Sequence, residues 1–162
     1  MTGADRSRVV PPGELWLGGF AVIYRLPAAA TGGALSVVEG LVKPGTLIPP
    51  HTHSREDEYG LVLEGVFGAR VGDEYLDAGP GEWLIRPRGI PHAFWNAGPN
   101  LARLLEITVP GGFERYFAEV AELAGRGLGP FDAERASLRE AYGLVGNGEW
   151  VPELERRFRV HL

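Results

Sequence analysis

The sequence predicts an all-β domain, an antiparallel sandwich or barrel, and three observations carry that expectation. Short apolar runs rich in β-branched and aromatic residues recur between residues 15 and 109. Clusters of turn-forming residues separate them at short intervals. The 162-residue chain also holds 24 glycines and 13 prolines, spread between the runs, which suits many strands joined by many turns. Hydrophobic residues make up 44% of it, enough for one sizeable core.

Taken in order, residues 1–13 (MTGADRSRVVPPG) read as a loose tail. Candidate strands cover 20–26, 35–42, 58–63, 66–71, 74–76, 82–86, 92–96 and 101–109. Turn formers at 31–33, 44–45, 72–73, 78–81, 87–91 and 97–100 divide them. A barrel over 14–112 follows. After Pro110 the period changes from two to about 3.6. Phe113, Tyr116, Phe117, Val120 and Leu123 fall at helical spacing with Gly125 as a stop, and this stripe is expected to pack on the barrel wall. A second helix is expected from an Asp132 N-cap to Gly143, with Leu138, Ala141 and Tyr142 on its apolar side. The charged end, NGEWVPELERRFRVHL, has no assigned element, and 113–162 is treated as a helical segment packed on the barrel.

Composition narrows the function. The net charge is −5, from 21 acidic and 16 basic side chains, and Lys43 is the sole lysine. A nucleic-acid partner is therefore not expected, because binding the phosphate backbone needs a positive face. Without cysteine the chain makes no disulfide, no thiol nucleophile and no Cys-ligated zinc site. The first residues lack the apolar core of a signal peptide, and no apolar run is long enough to span a bilayer. The expectation is a cytoplasmic protein without a membrane partner.

Four histidines serve the whole chain, and two of them stand one residue apart in HTHSREDEYGLVLEG, residues 51–65. Side chains at i and i+2 of a strand share a face, so His51 and His53 can aim at one point. A pair on an exposed PPHTHS loop needs no chemical reason. Glu58, at the head of the next apolar run, can return beside the two rings through a hairpin. Glu56 and Asp57 flank it and read as a solvated loop. A third histidine, His92, lies in GEWLIRPRGIPHAFWN. Arg86 and Arg88 in that stretch can meet an anionic substrate or, more commonly, pair with acids at the surface. His161 stands near the terminus and is expected to be exposed.

With spacings written out, the two stretches are G-x5-H-x-H-x4-E-x6-G (Gly45, His51, His53, Glu58, Gly65) and G-x5-P-x-G-x2-H-x3-N (Gly81, Pro87, Gly89, His92, Asn96). They resemble the two signature motifs of the cupin superfamily, with each fixed position present. The resemblance covers residues 35–109 and implies a jelly-roll, double-stranded β-helix barrel in which His51, His53, Glu58 and His92 bind one divalent transition metal. Three imidazoles and a carboxylate suit Fe, Mn, Ni, Co, Cu or Zn. A set with room left for further ligands suits a reactive centre better than a structural one. Gly65 and Gly89 are then tight turns, and Asn96 stabilises a turn.

The flanks GGALSVVEGLVKPG and VPGGFERYFAEVAEL resemble small single-domain cupins similar to quercetinases, the flavonol 2,4-dioxygenases. That resemblance implies a metal-dependent dioxygenase of a small aromatic or enolic substrate, with dioxygen as co-substrate and Glu58 as general base. Phe94, on the same strand face as His92, reads as a wall of the substrate pocket or as core filler. Two other readings stay open: a metal-dependent isomerase, cyclase or lyase without oxygen, and a non-catalytic small-molecule-binding cupin. A homodimer is expected, since cupins commonly pair through barrel edges or terminal strands, for which residues 15–24 are available.

Overall fold

The computed structural model describes residues 13–129 and 132–162. Its strands are β1 (Gly13–Leu17), β2 (Phe20–Leu26), β3 (Ser36–Val42), β4 (Leu47–His53), β5 (Asp57–Glu64), β6 (Phe67–Val71), β7 (Glu74–Ala78), β8 (Trp83–Arg86), β9 (His92–Trp95) and β10 (Ala102–Val109). Helices α1 (Glu114–Gly125) and α2 (Ala133–Ala141), a short strand β11 (Leu144–Gly146) and helix α3 (Val151–Phe158) follow. The strands form two antiparallel sheets, ordered β1-β2-β3-β10-β5-β8 and β11-β4-β9-β6-β7. This is the expected all-β jelly roll with a helical C-terminal extension.

The alternation along β10 shows how the sequence sorts its faces. Ala102, Leu104, Glu106 and Thr108 are buried, while the residues between them are half-buried. Even-numbered residues of β5 and β8 lie across from them, so Val62 and Leu84 join Leu104 in the space between the sheets. Ile48, Phe67, Ala69 and Phe94 close that core from the second sheet.

Strand β4 was not among the expected strands, because Pro49 and Pro50 argue against one. Both prolines are accommodated at a bulge. Leu47 and Ile48 pair with Trp95 and Phe94, whereas His51 pairs with His92, a register one residue out. That extra residue reverses the parity, turning the odd-numbered His51 and His53 to the face that Ile48 occupies. The pair therefore sits on a strand, as its i and i+2 spacing requires, and not on the alternative, an exposed PPHTHS loop.

The charged C-terminal stretch also folds. Helix α3 lies on the outer face of the second sheet, where Leu154 and Val160 are fully buried beside Leu47, Ala93 and Trp95. Burying Leu154 alone contributes about 2 kcal/mol. Trp95 lies flat over Gly68, with Phe158 4.3 Å away between ring centroids. A Cβ on Gly68 would come within 2.3 Å of the indole nitrogen, so only glycine leaves room for the ring. The first twelve residues of the expected tail lie outside the described residues, and Gly13 already belongs to β1.

Helices α1 and α2 fall where the periodicity places them. Glu114, buried at the start of α1, accepts hydrogen bonds from the backbone N–H groups of Gly112 and Ala28, which ties the helix to the barrel. Asp132 precedes α2 as expected, but its carboxylate accepts from Gly129 N–H instead of capping the helix. Among the described residues no helix is long and apolar enough to cross a membrane.

Candidate metal centre

His51 and His53 from β4, Glu58 from β5 and His92 from β9 converge between the sheets, and one ligand atom from each lies within 4.8 Å of all the others. His53, Glu58 and His92 are buried and His51 is half-buried. The Nε2 atoms of His51 and His53 stand 3.2 Å apart. Glu58 brings Oε1 to 3.2 Å from His53 Nε2 and Oε2 to 3.2 Å from His92 Nε2.

Each imidazole is held from behind. His51 Nδ1 faces the Pro49 carbonyl at 2.6 Å, and His92 Nδ1 faces the Ile90 carbonyl at 3.1 Å. His53 Nδ1 faces Glu56 Oε2 at 3.2 Å. Carbonyl and carboxylate oxygens only accept, so the proton of each neutral ring belongs on Nδ1 and the Nε2 lone pair points inward. The main chain helps: Gly89 N–H donates to the His53 carbonyl, docking the turn before His92 onto β4.

These residues fit a divalent ion. Donor atoms about 2.0–2.2 Å from a common ion are at most about 4.4 Å apart, close to the spread observed. Glu58 Oε2 and His92 Nε2 are buried without a hydrogen-bond partner. Such atoms are costly to bury unless a cation satisfies them. The donor chemistry, imidazole with one carboxylate, accepts several first-row metals.

Electrostatics divides the cluster. Burial holds His51 well below the ordinary histidine value, and the neighbouring His92 and His53 act in the same direction. Burial likewise lowers His92. Burial also opposes charge on His53, yet the Glu58 and Glu56 carboxylates outweigh it and push it up to about 9. Glu58 is held well below the usual carboxylate range, because His53 and Arg86 outweigh its own desolvation.

One layer deeper lies a second ionic pair. Arg86, 1% exposed, donates through Nη2 to both carboxylate oxygens of Glu106, and its Nη1 is 3.7 Å from Glu58 Oε2. Desolvation pushes Glu106 up to about 7, against the pull of the guanidinium. Phe94 packs in the core with its ring 6.0 Å from Phe67 and 4.7 Å from the Arg86 guanidinium. On the other side Phe113, 5% exposed, sets its ring edge-on against His53 at 4.4 Å, and Tyr116, Phe117 and Tyr142 gather around it.

Several smaller expectations resolve here. Glu56 is buried against His53, a correction to its reading as a solvated residue, whereas Asp57 pairs with the exposed Arg88 at 2.7 Å. Arg86 is interior, which corrects its expected surface pairing. Asn96 stabilises the turn that follows it, with Nδ2 on the Val42 and Asn100 carbonyls and Oδ1 accepting from Gly98. Gly65 and Gly89 have φ of +78° and +76°, as tight turns require. His161 is exposed. Phe113, Glu56 and Glu106 were missed as site residues. The first had a signal, an aromatic opening the helix that follows the barrel, but a carboxylate on a polar connection or mid-strand carries none.

Two facing antiparallel sheets around a cluster of three histidines and a glutamate define a barrel of the cupin class. Residues 38–108 match the family model described as Cupin domain. Germin-like protein subfamily T member 2 of Arabidopsis thaliana is 41% identical over 69 residues, 38% of this chain and 30% of that protein. Protein SchB of Streptomyces halstedii is 32% identical over 85 residues, 52% of this chain and 60% of its own length. The chain thus spans less than two thirds of the curated relatives it matches. Among solved structures, KdgF from Halomonas sp. superposes with a TM-score of 0.57 at 19% identity, over 64% of this chain and 90% of that one. A predicted oxalate decarboxylase from Thermotoga maritima gives 0.56 at 17%, over 61% and 91%. At these identities the likeness is one of fold.

Proposed function

We propose that this chain is a metal-dependent dioxygenase of a small aromatic or enolic substrate. The single observation that carries the metal reading is the convergence of His51, His53, Glu58 and His92 with partnerless atoms facing inward. What favours an aromatic substrate is the cluster of Phe113, Tyr116, Phe117 and Tyr142 beside His53.

In this reading the three imidazoles and Glu58 hold the ion, which when bound supplies Lewis acidity that favours loss of a proton from a substrate hydroxyl. Glu58 is ionised and takes that proton on a carboxylate oxygen. Arg86 stands close enough to keep the carboxylate aimed while it does so. Phe113 shields the His53 side from water. Phe94, buried between Phe67 and Arg86, serves as the inner wall beneath the site.

A second reading, an oxygen-independent isomerase, cyclase or lyase, draws support from the buried Glu58–Arg86–Glu106 network, which can handle protons without dioxygen. One experiment separates the readings. The purified, metal-loaded protein is given a panel of flavonols and related enols in an oxygen electrode, with products followed chromatographically. Oxygen uptake coupled to product supports the dioxygenase, and turnover that persists anaerobically selects the second reading. Tight binding without chemical change makes the chain a non-catalytic ligand-binding cupin.

A further inference from the structure

We propose that Arg86 and Glu106 are positioning residues of the metal centre: the guanidinium holds the Glu58 carboxylate towards the histidines, and Glu106 cancels the charge that Arg86 brings. The inference deepens the metal reading and rests on it.

The geometry is built for one arrangement. Glu58 and Arg86 are direct cross-strand partners on β5 and β8, and Glu106 faces Gly60 on the other side of β5. All three acids and bases point into the barrel, each less than 10% exposed. The guanidinium is held through its two terminal nitrogens and one face. Nη2 bonds Glu106, Nη1 faces Glu58, and the Phe94 ring lies 4.7 Å from its central carbon. At Gly60 a Cβ would stand 3.1 Å from Nη2, so the glycine supplies the room for the fork.

A buried arginine beside a cation site is unfavourable unless something offsets it. With the imidazoles neutral, as coordination requires, and Glu106 ionised, Glu58 and Glu106 outnumber Arg86 by one charge, a balance that favours a dication. A lone Arg86 would neutralise Glu58 and repel the ion. A lone Glu58 would keep its contacts with the His53 and His92 rings but lose the planar donor that faces Oε2 from the neighbouring strand. The pair thus supplies orientation without the electrostatic penalty.

The test uses the full chain and Co2+ as probe, reading affinity and the visible absorption band of the bound ion. Four proteins besides wild type are compared: R86K, E58Q, E58Q/R86K and R86M/E106L. Arg86→Lys keeps the charge and loses the fork. It is expected to weaken Co2+ binding by about tenfold to a hundredfold and to alter the band, as loss of an outer partner typically does. In the E58Q background the same substitution is expected to change affinity by less than about threefold, because its effect passes through the carboxylate. If R86K does not fold, R86M/E106L, which removes both buried charges together, is expected to bind more weakly than wild type with a shifted band. Equal losses in both backgrounds, or unchanged affinity and band in whichever variant folds, overturn the inference while leaving the metal reading intact. Failure of folded wild type to bind Co2+ overturns both.

Discussion

Glu56 reaches back three residues to set Oε2 3.2 Å from His53 Nδ1, and both side chains are buried. The contact orients the ring and makes its Nε2 a better donor, the role an outer carboxylate plays at many metal-bound histidines. Glu56→Gln is expected to weaken divalent-metal binding by about tenfold to a hundredfold without changing the stoichiometry. Asp57→Asn removes only the exposed Arg88 pair and is expected to leave affinity within about threefold of wild type. Competition titration with a chromogenic chelator measures both. Equal effects at the two positions would show that Glu56 acts by general charge and not through the ring.

How far the site was legible follows from this neighbour pair. His51, His53, Glu58 and His92 are recoverable because ligands must sit at fixed offsets on strands of period two, and those offsets survive in the linear sequence. Strand β2 is recoverable to the residue for a similar reason, a run that is apolar but for Arg25 between turn formers. Glu56 is hidden because three acids in a row read as solvent-facing, and only the fold decides which one turns inward. Strand β4 is hidden because two prolines argue against it, and a bulge that tolerates them leaves no mark. Helix α3 is hidden behind its charges: Leu154, Phe158 and Val160 reach the sheet while Arg156 and Arg159 stay exposed. Arg86 has no sequence cue at all, since its burial depends on Glu106 twenty residues away.

Proton and metal compete at His53. With its value pushed up to about 9, the ring carries a proton at neutral pH in the absence of metal, while Glu58 is already ionised and burial keeps His51 and His92 neutral. A raised value stabilises the fold fully below about 6.5, the ordinary histidine range, and that contribution is lost as pH rises through about 9. Metal binding runs the other way, because Nε2 must shed its proton to coordinate. Apparent affinity is expected to rise by up to about tenfold per pH unit towards pH 9 and to level off above it, with about one proton released per ion. Titrations at several pH values, with calorimetry in two buffers of different ionisation enthalpy, check both. An affinity independent of pH between 6 and 9 would contradict the protonated ring.

Trp95 anchors the C-terminal segment through a surface that only glycine permits. Gly68→Ala places a methyl group 2.4 Å from the indole carbon Cε2 and must displace the ring from Phe158. Overpacking of this kind costs about 1–3 kcal/mol. Urea unfolding is expected to show that loss, with the Trp95 fluorescence environment altered in the native baseline. Because the indole lies on the outer face of the sheet and the histidines on the inner one, metal stoichiometry is expected to stay as in wild type.

Phe113 joins the barrel to α1 and covers the His53 ring, centroid to centroid 4.4 Å. It is stacked on Tyr116 at 5.1 Å and crossed by Phe117 and Tyr142, so four aromatic side chains share one contact surface. Truncation to alanine removes a buried ring and is expected to cost about 3 kcal/mol in urea unfolding. Leucine, which refills most of the volume, should restore the larger part. The informative difference lies in kinetics. If Phe113 only fills space, metal release to excess EDTA proceeds at the same rate in Phe113→Leu as in wild type once both are fully folded. If the ring shields the metal centre, release is faster in both variants and fastest in Phe113→Ala, with the equilibrium affinity changed far less than the rate. Stopped-flow chelation on Co2+-loaded protein distinguishes the two, and the shielding role requires the second pattern.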